Sequence, residues 1–193
     1  MNQGQLAGFL LIAGFVSILI ASMVGPPRLY QEPESETRLQ IIANHPTRWA
    51  AANLFFALGG LVTAGGLTFF SLGLRGSVNM WLVGLSAVAY ILGAIIWAAF
   101  MYQRTVNPAS LFTSYAFSPL TVALLGLIVI GLLLYGVVFL QAGYPGWLGI
   151  GMIAGMALIG GAALLFPTRF FEAFPPQVLY LFTLIAGIVM LRK

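Results

Sequence analysis

The chain has 193 residues, of which 61% are apolar and only 6% charged, with a mean hydropathy of +1.02. So few polar side chains cannot cover a water-compatible surface, which excludes a soluble domain and makes the protein integral to a bilayer. The absence of cysteine removes disulfides, thiolate nucleophiles and cysteine metal sites, and the formal charge of +4 is too scattered to form a nucleic-acid stripe.

Taken in order, the first apolar run, residues 6–24, stops at Gly25-Pro26-Pro27. The five residues before it hold no Lys or Arg, so it lacks the basic flank of a signal peptide and reads as a retained helix. Residues 25–49 are the hydrophilic stretch of the chain, with Glu32, Glu34, Glu36, Arg28, Arg38, Arg48 and the single histidine, His45. Within it Pro33 suits a first helical position, and Glu34 and Glu36 favour the positive amino end of a helix. Glu34 and Arg38 form an i,i+4 pair, while Leu39, Ile42 and Ala43 share one side. This grammar predicts a short amphipathic helix over 33–44, lying on the membrane surface and stopped by His45-Pro46.

Five more apolar runs follow, at about 50–74, 80–101, 119–140, 147–166 and 176–191. The expected fold is therefore an all-α integral membrane protein, a single-domain six-helix transmembrane bundle. The last run is shorter than the roughly 20 residues a bilayer core needs, so it must tilt less, borrow flanking aromatics or thin the membrane. Tight turns follow the second and fourth runs, and the three longer loops all fall on the opposite face. That long-loop face carries Arg28, Arg38, Arg48, Arg104 and Arg169, against Arg75, Arg192 and Lys193 on the other, a balance that places it in the cytoplasm. Laying the second pair of runs on the first with an offset of 66 residues aligns Gly60/Gly126, Gly65/Gly131, Trp81/Trp147 and Phe100/Phe166. Such a match predicts a parallel repeat of two helical hairpins.

The spans hold no mid-membrane charge, which argues against proton pumping and carboxylate-based ion carriage. Their polar residues are neutral, and Asn53, Tyr90, Trp97 and Tyr135 form a candidate intramembrane pocket. A second candidate is a long-loop cluster of His45, Arg48, Arg104, Arg169 and Glu172, which would serve a membrane enzyme only if the five converge. One histidine before a proline supplies neither the ligands of a zinc site nor the axial pair of a haem, so no metal or cofactor is expected. Glycines, including the GxxxG pairs Gly4/Gly8 and Gly151/Gly155, predict close helix packing.

The start of the second span (His45, Pro46, Arg48, Trp49), its glycine-rich body and the Pro175-Pro176 start of the last span resemble small six-span bacterial membrane proteins catalogued as domains of unknown function. The resemblance implies a bundle in a bacterial plasma membrane and carries no activity, so no functional residue is transferred. The leading expectation is a non-enzymatic accessory or scaffold subunit, whose partners are the lipid bilayer and other membrane subunits or further copies of itself. The rival is a carrier or binder of a small apolar molecule (lipid, quinone or pigment) between the hairpins. An enzyme using the long-loop face stands third.

Overall fold

The computed structural model describes residues 2–29, 32, 34–74, 78–109, 119–165 and 177–192. They form seven helices and no strand: α1 (Gln3–Val24), α2 (Ser35–Asn44), α3 (Pro46–Gly73), α4 (Met80–Val106), α5 (Pro119–Gln141), α6 (Gly146–Leu165) and α7 (Gln177–Leu191). Five of these, α1, α3, α4, α5 and α6, are long and apolar enough to cross a membrane, and α7 is a shorter apolar helix. The protein is an all-α membrane bundle.

Local chemistry fixes the helix ends. At the start of α1, the Asn2 carboxamide accepts from the Gln5 N–H (2.8 Å) and Gln5 accepts from the Asn2 N–H (3.2 Å), a reciprocal capping box. Asn79 caps α4 by accepting from the Trp81 and Leu82 N–H groups, and its own N–H donates to the Gln141 side chain, tying the α3–α4 turn to the end of α5. Helix α5 closes with a Schellman motif: Tyr144 N–H reaches the Phe139 carbonyl and Gly143 N–H the Leu140 carbonyl. The motif needs a left-handed residue, which Gly143 supplies at φ +69.

Three span boundaries differ from the sequence expectation, the first being α1, which begins at Gln3 ahead of residue 6 because Asn2 caps it. Helix α3 begins at Pro46, ahead of the apolar run, because proline's missing N–H costs nothing at a first helical position. Helix α4 continues to Val106, past Met101, since polar residues extend a helix once it leaves the hydrocarbon. The surface helix α2 starts at Ser35; Pro33 lies outside the described residues. Ile42 of α2 is buried with Leu29 and Trp49, a small apolar cluster separate from the main core.

Helix α3 is the hub. Along one side it packs on α1, where Gly14 and Gly59 bring the backbones together. On another it packs on α4, and it reaches α5 through Ser71 and α7 through Gly60, which lies against the Tyr180 hydroxyl. Helix α1 continues to α7 at a Gly8–Gly187 crossing, while α4, α5 and α6 pack in succession, with Gly136 facing Gly149 between α5 and α6. The contact of α6 with α7 is sparse and centres on Gly155 against the Phe182 ring. Backbone approach at small residues is the packing mode open to helices in lipid, where burial of apolar surface gives no net drive.

Candidate functional site

The long-loop residues come first. His45 sits half-buried between α2 and α3, and Arg48 on the first turn of α3 donates from Nε to the Val24 carbonyl (3.0 Å), holding the start of α3 to the end of α1. Arg104, on the last turn of α4, lays its guanidinium over the Trp49 ring at 4.9 Å and the Phe100 ring at 5.7 Å. The Trp49 indole N–H returns to the Arg104 carbonyl (3.0 Å), so cation–π and hydrogen bonds together lock α3 to α4 at this end. No hydrogen bond joins His45 to Arg48 among the described residues. Arg169 and Glu172 lie outside the described residues. Among those described, no three His, Cys, Asp or Glu side chains come together as a metal site would require.

The four intramembrane candidates are all buried, but they are spread along α3, Asn53 on it and the others beside Phe56, Thr63 and Ser71. Near the long-loop end is Asn53. At mid-height the Trp97 indole donates to the Phe56 carbonyl (2.8 Å), and Tyr90 lies in hydrogen-bonding contact with Thr63 and Tyr180. Toward the short turns, the Tyr135 and Ser71 hydroxyls are 2.8 Å apart and both reach the Leu67 carbonyl, at 3.2 and 2.9 Å. Asn53 and Ser71 are about 27 Å apart at 1.5 Å per helical residue, so the four do not share one pocket. Glycines are the reason the interior between them is filled. A Cβ on Gly60 would stand 2.8 Å from Trp97, one on Gly93 2.8 Å from Ile128, and one on Gly131 3.0 Å from the Tyr90 backbone. The Trp97 ring, the Ile128 side chain and the Tyr90 backbone occupy the space those hydrogens leave.

Three of the four therefore bond between helices. Removing one such bond has a modest cost: Tyr135→Phe leaves Ser71 bonded to Leu67, so a loss of about 1 kcal/mol is expected, read as a lower midpoint in thermal unfolding. An unchanged midpoint would show that the Tyr135 hydroxyl contributes nothing to holding α5 on α3. Asn53 differs from the other three. It is 1% exposed, and among the described residues neither its amide nitrogen nor its oxygen has a hydrogen-bond partner.

At the opposite end of the bundle is a cleft of about 350 Å³ that the sequence reading did not identify. The start of α1 (Asn2, Gln3, Gly4), the end of α3 (Phe70, Gly73, Leu74) and Tyr144 of the α5–α6 turn line it. The Tyr144 ring meets Phe70 edge-on at 5.6 Å and Phe139 edge-on at 5.3 Å, while Phe70 and Phe139 stack at 4.8 Å. Partial burial raises the pKa of the Tyr144 hydroxyl, which keeps it neutral. One signal in the sequence pointed here, the Gly143-Tyr144 pair after an apolar helix, which marks a Schellman turn whose following residue packs back on the helix.

Comparison of the chain with protein-family models, with curated proteins and with solved structures returns no match. Function therefore rests on the chain's own chemistry.

Proposed function

We propose that this protein is a non-enzymatic accessory subunit that docks through the outer face of α6 onto a larger assembly in a bacterial plasma membrane. In this reading α7 is a sixth, short span, and the loops around α2 face the cytoplasm. The observation that carries it is the pattern of small residues on α6. Among the described residues, Gly151 and Gly161 have no neighbour within 4 Å of where a side chain would begin, and Ala154 and Leu158 on the same side are exposed. A helix-interior glycine costs about 1 kcal/mol relative to alanine, so glycines on a lipid-facing surface are a burden unless another helix approaches them. In lipid, small residues at this spacing are what allows such an approach.

The test is native mass spectrometry of the protein extracted from its own membrane in mild detergent. Wild type is expected in fixed stoichiometry with other membrane polypeptides, and the Gly151→Leu/Gly161→Leu double variant is expected alone, folded but undocked. Recovery of wild type by itself, or a double variant that keeps its partners, would overturn the reading.

A further inference from the structure

The outer surface of the bundle shows where the two lipid headgroup layers meet it, independently of how α6 docks. The outer face of α4 is exposed from Trp81 (85%) through Val88, Leu92 and Ile95 to Tyr102 (71%). Its middle is aliphatic, and each end is an aromatic ring with one polar edge. That sequence of surfaces fits hydrocarbon in the middle and a headgroup layer at either end. Trp81 and Tyr102 are separated along α4 by about 31 Å at 1.5 Å per residue, close to the roughly 30 Å of a bilayer's hydrocarbon core.

Contacts between helices carry both levels to the rest of the bundle. Asn79, just before Trp81, is bonded to Gln141 at the end of α5, and α5 meets α6 where Gly136 faces Gly149. Trp147, just before Gly149, therefore stands within about one helical turn, 5.4 Å, of the Trp81 level. It is 61% exposed as well, so two different helices present an exposed indole at the same height. At the other end the Trp49 indole bonds to the Arg104 carbonyl, just past Tyr102, which sets the first turn of α3 immediately outside the Tyr102 level. Arg48 is exposed on that turn, and Ile42 of α2 packs on Trp49. Both guanidinium-bearing residues, Arg48 and Arg104, thus stand beyond the hydrocarbon, where a cation keeps its hydration and can meet lipid phosphate.

We propose that Trp81 and Trp147 anchor the bundle in one phospholipid headgroup layer and Tyr102 in the other, with Arg48, Arg104 and α2 lying in that second layer. The α4 outer face between Trp81 and Tyr102 is then covered by acyl chains.

The test uses the full chain in phosphatidylcholine vesicles. The sequence has no cysteine, so a single introduced cysteine carries a nitroxide label at a chosen position. Depth is read as the label's accessibility to oxygen, which concentrates in hydrocarbon, relative to a water-soluble nickel chelate. Labels on Val88→Cys, Leu92→Cys and Ile95→Cys should read deep, with those on Trp81→Cys and Tyr102→Cys shallow to a similar degree. Trp147→Cys should match Trp81→Cys, and Gln40→Cys, on the exposed side of α2, should read no deeper than Tyr102→Cys. All seven positions are exposed, so one variant that fails to fold leaves the profile readable from the others. A flat profile along α4, or an end label as deep as Leu92→Cys, would overturn the proposal. So would a Gln40→Cys label as deep as Leu92→Cys, which would put α2 inside the hydrocarbon.

Discussion

Gly149→Ala is expected to destabilise the isolated protein by about 2 kcal/mol, and Gly151→Ala, two residues further along the same helix, to stabilise it by up to about 1 kcal/mol. At Gly149 a Cβ would stand 2.6 Å from the Gly136 carbonyl and 2.5 Å from Leu140. Leu140 can rotate, but the carbonyl belongs to the facing helix backbone and cannot, so α6 must move away from α5 along the contact. The reciprocal position behaves alike, a Cβ on Gly136 meeting the Gly149 carbonyl at 2.9 Å. Overpacking of this kind costs roughly 1–3 kcal/mol or more, and the helix-propensity gain of alanine offsets only part of it. Gly151 presents the same helix and the same substitution with nothing within 4 Å, so only the propensity gain remains. Titration with sodium dodecyl sulfate in dodecylmaltoside micelles, followed by tryptophan fluorescence, measures both. Equal shifts of the same sign would mean that the α5–α6 crossing is looser than the Gly136–Gly149 approach implies.

That contrast also shows how far the fold was legible in the sequence. Composition and span length are one-dimensional properties, and they yielded the class, the positions of α1, α3, α4, α5 and α6, and the shortness of α7. The ends of α3 and α4 were misplaced by several residues because hydropathy reports where the lipid stops, whereas the helix stops where its backbone bonds run out: at Pro46, and at Asn107, whose N–H still reaches the Gln103 carbonyl. Glycine spacing predicted close packing without saying which glycines meet. In the Gly4/Gly8 pair, Gly8 abuts Gly187 of α7 while Gly4 touches only Asn2; in the Gly151/Gly155 pair, Gly155 takes Phe182 and Gly151 faces outward. The crossings of α1 join residues from distant parts of the chain, Gly14 with Gly59 and Gly8 with Gly187, and no local motif encodes such a pairing. The cleft was illegible for the same reason, since its walls come from residues 2–4, 70–74 and 144. Candidate polar residues were legible as types, but whether each one bonds depends on the neighbour that tertiary packing supplies.

Asn53 is where that distinction has its largest energetic consequence, and Asn53→Leu is expected to stabilise the protein by about 1–3 kcal/mol. The residue lies on the face of α3 between Trp49 and Gly60 that turns toward α4. Neither indole nearby can serve it, because Trp49 donates to the Arg104 carbonyl and Trp97 to the Phe56 carbonyl. A carboxamide buried without partners forfeits its hydrogen bonds to water and gains none in return, whereas leucine of nearly the same volume fills the site with no polar atom to satisfy. Asn53→Leu thus has the opposite sign from Tyr135→Phe, although both replace a buried polar side chain by an apolar one. The difference lies in what surrounds each: Tyr135 reaches Ser71 and Leu67, and Asn53 has no such partner among the described residues. Measuring the two variants side by side in the same micelles removes any dependence on the absolute stability scale. A lower unfolding midpoint for Asn53→Leu would show that the folded protein in its membrane gives the carboxamide a partner, and would turn attention to what supplies it at the long-loop end of the bundle.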